Sequence, residues 1–220
     1  VAPGTYNEQI VMPAINGLDS LNTITFRSST GNAEDVVVTC VPTDTENYVL
    51  KLEGVHNVFF EDITFYANAI GTIKSTTPGN VVVVENCEDV TFTGNMFKVK
   101  GGTLSNSTKA NAVVLTGSVV GLLFQNNIVD SCYVGIQNSI SDLSDNVADL
   151  VIKNNIFRNF TFRGTSFRRV ADVDIVKNMF LSGSTANAKP LTGIYLTEHY
   201  GSFDVLQNVV TLVDNRNGLK

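Results

Sequence analysis

The sequence is poor in charge. Asp, Glu, Lys and Arg make up 16% of the 220 residues and leave a net charge of −6. Long amphipathic helices, which carry charged outer faces, are therefore not expected. No cluster of Lys or Arg offsets the acidic balance, so the long-range attraction to phosphate is missing and nucleic acid is not expected as a partner. No apolar run approaches the ~18 residues needed to cross a bilayer, so no membrane span is expected. The opening Val1-Ala2-Pro3-Gly4 lacks the charged and apolar regions of a signal peptide. The chain reads as soluble, with any export signal already removed. Cysteine is scarce and odd in number: Cys40, Cys87 and Cys132 show none of the paired spacings of a zinc site and read as buried, unpaired thiols.

What is present is a 43% hydrophobic composition, enough for a continuous core, with abundant Gly, Asn, Thr, Ser and Val. That mixture suits many short strands joined by tight turns. The segments NVFFEDITFY, DVTFTGNMFK, GLLFQNNIVD, DLVIKNNIFR, DVDIVKNMFL and SFDVLQNVVT align without gaps from residues 57, 89, 121, 149, 172 and 202. Spacing this uneven does not fit a rigid helical repeat. It fits a β-solenoid whose strands keep register while its loops vary in length.

Within the repeat one column reads Val58, Val90, Leu122, Leu150, Val173, Phe203, and two residues later comes Phe60, Phe92, Phe124, Ile152, Ile175, Val205. Apolar residues at a period of two predict strand. Next stand Asn95, Asn127, Asn155, Asn178 and Asn208, with Ile63 in the first copy. This column predicts an asparagine ladder, since Asn tolerates the left-handed backbone of a sharp bend and its amide can hydrogen-bond to the same amide one coil away. Phe65, Phe97, Val129, Phe157, Phe180 and Val210 form a second inward stack. Further apolar stretches at Tyr48 to Leu52, Val81 to Val84, Ala112 to Leu115 and Gly193 to Leu196 give each coil about three strands. The fold expected is all-β, a right-handed parallel β-helix of about six to seven coils in a single domain over residues 1–220. Longer connections at Asn68 to Asn80, Lys100 to Asn111, Asn138 to Ala148 and Gly183 to Leu191 read as loops projecting from one side. Both ends lack an evident cap, which reads as one piece of a longer polypeptide.

The asparagine column, the stacked aromatics and the opening Val1-Ala2-Pro3-Gly4-Thr5-Tyr6-Asn7-Glu8 resemble the pectate-lyase-like superfamily of β-helices. The opening and Glu61-Asp62-Ile63-Thr64-Phe65 look most like the first coils of pectinesterase-type members. The resemblance implies secretion and a carbohydrate context. The catalytic motifs of pectinesterases (Gln-Ala-Val, Asp-Phe, an Arg-containing motif) and of polygalacturonases (Asn-Thr-Asp, Asp-Asp, Gly-His-Gly) are absent from the sequence, so the resemblance does not carry their chemistry.

Candidate sites follow from the repeat. The positions between the inward columns collect acid in the later coils: Asp149 beside Asp172, and Asp174 beside Asp204, at a strand spacing of ~4.8 Å. Four carboxylates on one patch suit Ca²⁺, or are solvated surface acids offset by Lys153, Lys177 or Arg168. Calcium-dependent lyases resembling this fold hold Ca²⁺ on such a strand face. Arg163, Arg168 and Arg169 read as one irregular stretch that places cations beside that face, with Arg168 the candidate catalytic base of a lyase or a member of a surface salt bridge. Glu198-His199-Tyr200 follows a strand and pairs a carboxylate with an imidazole, or is an ordinary turn; Tyr195, Glu198 and His199 are the candidate substrate-binding residues. His56 lies in a turn beside Asn57. Tyr66, Tyr133, Tyr195 and Tyr200 are candidate stacking platforms for sugars. Asn106-Ser107-Thr108 and Asn159-Phe160-Thr161 match the glycosylation sequon without further support. The leading reading is a non-catalytic module of a larger secreted or cell-surface protein that meets a polysaccharide or cell-surface glycan. The alternative is a Ca²⁺-dependent polysaccharide lyase, and a third reading is a spacer that binds nothing.

Overall fold

In the computed structural model, residues 1–43, 45–68, 79–100, 110–139, 146–182 and 190–213 are described. They form a parallel β-solenoid with three faces. Sheet A stacks Gly4–Asn7, Val36–Cys40, Thr64–Ala67, Met96–Val99, Ile128–Asp130, Ile156–Arg158, Met179–Ser182 and Val209–Leu212. Sheet B stacks Ile10–Pro13, Leu50–Glu53, Gly79–Glu85, Ala110–Thr116, Val134–Ser139, Arg163–Arg168 and Thr192–Thr197. Sheet C stacks Ile24–Arg27, His56–Glu61, Glu88–Thr93, the pair Val119–Val120 and Leu123–Gln125, then Val147–Lys153, Val170–Val176 and Tyr200–Leu206. Each coil runs through A, B and C in turn, and every pairing between coils is parallel.

The aligned repeat is the passage from sheet C into sheet A, and its columns are the register of the solenoid: Val58 pairs with Val90, Phe60 with Phe92, and Phe65 with Phe97. One copy escaped the alignment. Ile24 and Phe26 pair with Val58 and Phe60, so a first copy of the strand precedes the six that align. The stretch from Arg163 to Arg168 is likewise a regular strand of sheet B and not an irregular segment.

Inward residues stack like on like. Phe26, Phe60 and Phe92 stack at centroid distances of 5.4 and 5.2 Å, Phe65 and Phe97 at 5.7 Å, and Phe157 and Phe180 at 4.8 Å. Such pairs add about 0.5–1.5 kcal/mol each beyond the area they bury. Phe97 is fully buried and meets Phe92 edge-on at 5.6 Å, which joins the stack of sheet A to that of sheet C. Gly135 and Gly164 admit these rings, since a Cβ on Gly164 would come within 2.3 Å of the Phe180 ring, and Gly193 makes the same room for Val210.

At the bend from C to A, two jobs are divided between neighbours. The left-handed backbone belongs to Asp62, Gly94, Asn126, Asn154, Lys177 and Gln207, with φ between 54° and 69°. The asparagine column expected to supply that backbone lies one residue later and does something else. Asn155 Nδ2 donates to the Phe124 carbonyl and to Asn178 Oδ1, both at 2.9 Å. Asn155 Oδ1 accepts from the Asn127 backbone N–H at 2.8 Å and from Asn127 Nδ2 at 3.2 Å. Asn178 repeats the pattern toward Asn208 and Ile152, and Asn127 toward Phe92. In the first aligned copy Ile63 needs only its N–H, which donates to Asn95 Oδ1.

A second left-handed column opens the strands of sheet C: Asn57, Asp89, Gly121, Asp149, Asp172 and Gly201. Where glycine stands on the next coil, the acidic side chain fills the room a Cβ would take, as Asp89 does at Gly121 and Asp172 at Gly201. All three cysteines are free thiols, Cys87 and Cys132 buried and Cys40 half-buried, and burial pushes each thiol up from its ordinary value.

Candidate functional site

The outer face of sheet B carries a continuous column of side chains. Alternation along the strands turns Lys51, Val83, Val114, Gln137, Ser166 and Tyr195 outward, and register stacks them into one column. A groove of about 460 Å³ runs over the first four of these and is walled by Thr45, Asn47, Tyr48, Asn80, Glu85, Thr116 and Ser139. Val83 and Val114 give it an apolar floor, while amides, hydroxyls and a phenol line its sides. That volume lies within the range of small-molecule sites.

The charges on this face are compensated from within. Lys51 Nζ sits 2.5 Å from Glu53 and 2.7 Å from Glu85, and those hydrogen bonds push its pKa up. At the other end of the column the Arg163 guanidinium lies 3.4 Å from the centroid of the Tyr195 ring and donates to Ser166 Oγ at 2.9 Å. Stacking on Tyr195 and Phe162 fixes the guanidinium plane, and Arg163 Nε stays buried without an acceptor.

The candidate residues fall into separate places. Tyr195 lies on the sheet B column, with one ring face covered by Arg163. Glu198 is at the turn that follows, in a left-handed conformation. Arg168 grips Glu198 Oε1 at 3.0 and 2.8 Å through Nε and an Nη, and Arg169 grips Oε2 at 2.8 Å. Hydrogen bonds from Arg168 and Arg169 hold the Glu198 carboxyl below the usual carboxylate range. Arg168 is thus oriented toward Glu198, and its backbone is tied to the Asn138 amide by two further bonds. His199 packs edge-on against Phe203 at 4.2 Å. His56 faces Glu88 at 3.4 Å. Tyr133, a candidate platform, is buried beneath Phe162 at 5.1 Å between centroids and offers no face to a sugar.

The acidic residues are neighbours as expected: Ala148 and Leu150 pair with Ala171 and Val173, which sets Asp149 opposite Asp172. Asp174 and Asp204 pair in register on the outer face of sheet C. Asp149 and Asp172 occupy the left-handed bend and not the extended part of the strand. Asp172 Oδ1 accepts from the Ser202 N–H at 2.9 Å and from its hydroxyl at 3.0 Å, which lowers the Asp172 pKa. A register irregularity between Ala171 and Val173 sets two residues, Gly201 and Ser202, opposite the single Asp172. Among the described residues no three acidic, His or Cys side chains converge as a set able to hold a metal ion. The sequon Asn106-Ser107-Thr108, most of the four long connections and the last seven residues lie outside the described residues. In the second sequon, Asn159 Nδ2 donates to Asp130 Oδ1 at 2.8 Å and Phe160 is buried.

Sequence reasoning missed Lys51, Gln137, Thr116 and Ser139. Lys51 lies within and Thr116 directly after an apolar run that did register, whereas the strand Val134–Ser139 that carries Gln137 and Ser139 was not among those runs. No helix among the described residues is long and apolar enough to cross a membrane.

No family model matches this chain, and no curated protein is matched. Among solved structures, endopolygalacturonase I from Stereum purpureum, complexed with two galacturonate, is similar at 12% identity. The match covers 91% of this chain and 95% of that one with a TM-score of 0.36.

Proposed function

We propose that this chain is a non-catalytic β-helix module that binds a glycan along the outer face of sheet B, as part of a larger secreted or cell-surface protein. The observation that carries this reading is the outward column from Lys51 to Tyr195. It offers a polar-walled groove at one end and an ordered aromatic ring at the other. Hydroxyl-rich ligands suit amide and hydroxyl walls over an apolar floor, because the sugar ring has polar edges and apolar faces. The electrostatics support binding over turnover. Lys51 is displaced upward and Glu198 downward, both away from neutrality, whereas a general acid or base works best with a pKa near ambient pH.

The test is affinity electrophoresis of the full chain through gels containing neutral or acidic polysaccharides, with Gln137→Ala and Tyr195→Ala alongside. Retardation by at least one polysaccharide that both variants diminish supports the reading. Unretarded migration in every gel, or retardation that neither variant changes, removes it.

A further inference from the structure

The outer face of sheet A is complementary to itself, and we infer that it is the interface of a reversible homodimer in which two solenoids lie face to face with antiparallel axes. This surface is separate from the sheet B face and does not depend on the function proposed for it. One outward column of sheet A reads Val37, Thr64, Met96, Ile128, Ile156, Met179, and the next reads Tyr66, Lys98, Asp130, Arg158.

Consider a two-fold axis in the plane of the face, parallel to the strands, passing between Met96–Val99 and Ile128–Asp130. It reverses the order of the coils and keeps strand direction, so each column meets itself reversed. Lys98 then faces Asp130 and Tyr66 faces Arg158, each twice across the axis. In the apolar column Met96 meets Ile128, Thr64 meets Ile156, and Val37 meets Met179. At the corner where the chain enters sheet A, Glu34 of the turn Ala33–Asp35 meets Lys177. Where two charged residues meet, at Lys98–Asp130 and Glu34–Lys177, the signs are opposite. An axis along the solenoid that runs over the second column would instead set Lys98 on Lys98 and Asp130 on Asp130, which like-charge repulsion disfavours.

Three features of the single chain point the same way. Lys98, Glu34 and Lys177 have no ion-pair partner among the described residues, whereas Asp130 is already held by Arg158 at 2.8 Å. A groove of about 390 Å³ starts in the half of the face nearer the N-terminus, at Glu34, Val37, Thr64 and Tyr66, and runs past Met96 and Lys98 across the axis to Asp130. The other half carries Met179, an apolar side chain left 38% exposed, together with Ile156 and Arg158. The axis sets Met179 and Ile156 over Val37 and Thr64 at the N-terminal end of the groove. Eight strands at ~4.8 Å spacing and ~13 Å of strand length cover about 500 Å² per copy. A standard stable interface covers about 800 Å² per partner, so association is weak and concentration-dependent.

Sedimentation of the full chain from low micromolar to near-millimolar concentration tests this. The expected result is a mass rising from monomer to dimer and stopping there. Glu34→Lys places like charges at both Glu34–Lys177 contacts and weakens the dimer by about tenfold, taking ~1.4 kcal/mol as a factor of ten. The charge swap Glu34→Lys with Lys177→Glu restores it, and Met179→Asp abolishes it. A wild type that stays monomeric, masses that climb beyond a dimer, a dimer insensitive to Glu34→Lys and Met179→Asp, or a swap that fails to recover would each overturn the proposal. Far-ultraviolet circular dichroism of every variant shows that the fold is kept.

Discussion

Two adjacent asparagines, Asn154 and Asn155, do different work at the same bend, and separating them tests the account of what holds the coils together. Asn154 is exposed and supplies a φ of 56°. Asn155 is 1% exposed and makes four side-chain hydrogen bonds to the coils on either side. Asn155→Ala takes the acceptor from the Asn127 backbone N–H and the side-chain donor from the Phe124 carbonyl. Asn127 Nδ2 keeps its bond to the Phe92 carbonyl, and Asn178 Oδ1 keeps the Asn155 N–H. Two buried groups are therefore orphaned, at about 1–3 kcal/mol each, so the loss should be about 2–6 kcal/mol. Asn154→Gly keeps the left-handed backbone and should change stability by about 0.5 kcal/mol or less. Urea unfolding of the full chain measures both, provided the slope with denaturant is unchanged.

Asn155→Asp adds a test by pH. The carboxylate keeps the two acceptor roles but faces the Phe124 carbonyl and Asn178 Oδ1 without a proton to donate. Burial and those oxygens raise its folded-state pKa above the unfolded value of about 3.9. A raised folded-state pKa contributes stability that is present below the unfolded value and lost as pH climbs through the folded one. This variant should therefore be most stable in acid and weaken toward neutrality. Losses that are equal for Asn154→Gly and Asn155→Ala, or a pH profile for Asn155→Asp that follows wild type, would refute the reasoning.

Other outcomes follow from the same structure. Phe97→Ala should destabilise by about 3–5 kcal/mol in thermal or urea unfolding, because the ring is fully buried among three others. Burial opposes ionisation of Asp130, yet bonds from Asn159, Ser131 and Arg158 outweigh it and hold the carboxyl below the usual range. Its contribution is thus present above the unfolded value of about 3.9 and lost as pH falls through the folded one, and Asp130→Asn should flatten the acid limb of a stability–pH curve. Saturating Ca²⁺ should leave the melting temperature where EDTA leaves it; a Ca²⁺-dependent rise that Asp174→Asn removes would restore the acidic face as a metal site.

The core was readable because a solenoid repeats the same environment at every coil, so Phe60, Phe92 and Phe124, or Asn127, Asn155 and Asn178, recur as one letter or its close equivalents. The bend residue before each asparagine was not readable, since Asp62, Gly94, Asn126, Lys177 and Gln207 share a backbone conformation and no side-chain chemistry. The sheet B face escaped for a related reason. Lys51, Gln137, Ser166 and Tyr195 are stacked by register that the inward columns set, and outward neighbours need not resemble one another. Arg168 and Glu198 were each singled out, but their contact crosses a strand pair and 30 residues, which local spacing does not reveal. The acidic neighbours were legible from the repeat, but the left-handed backbone of Asp149 and Asp172 within their strands was not.

The central claim, binding along sheet B without turnover, is tested most directly by incubating the full chain with a polysaccharide that retards it and following polymer mass by light scattering. An unchanged polymer mass distribution, with binding weakened by Gln137→Ala and Tyr195→Ala, is the predicted result. Progressive shortening of the polymer would contradict it and make this face an active site.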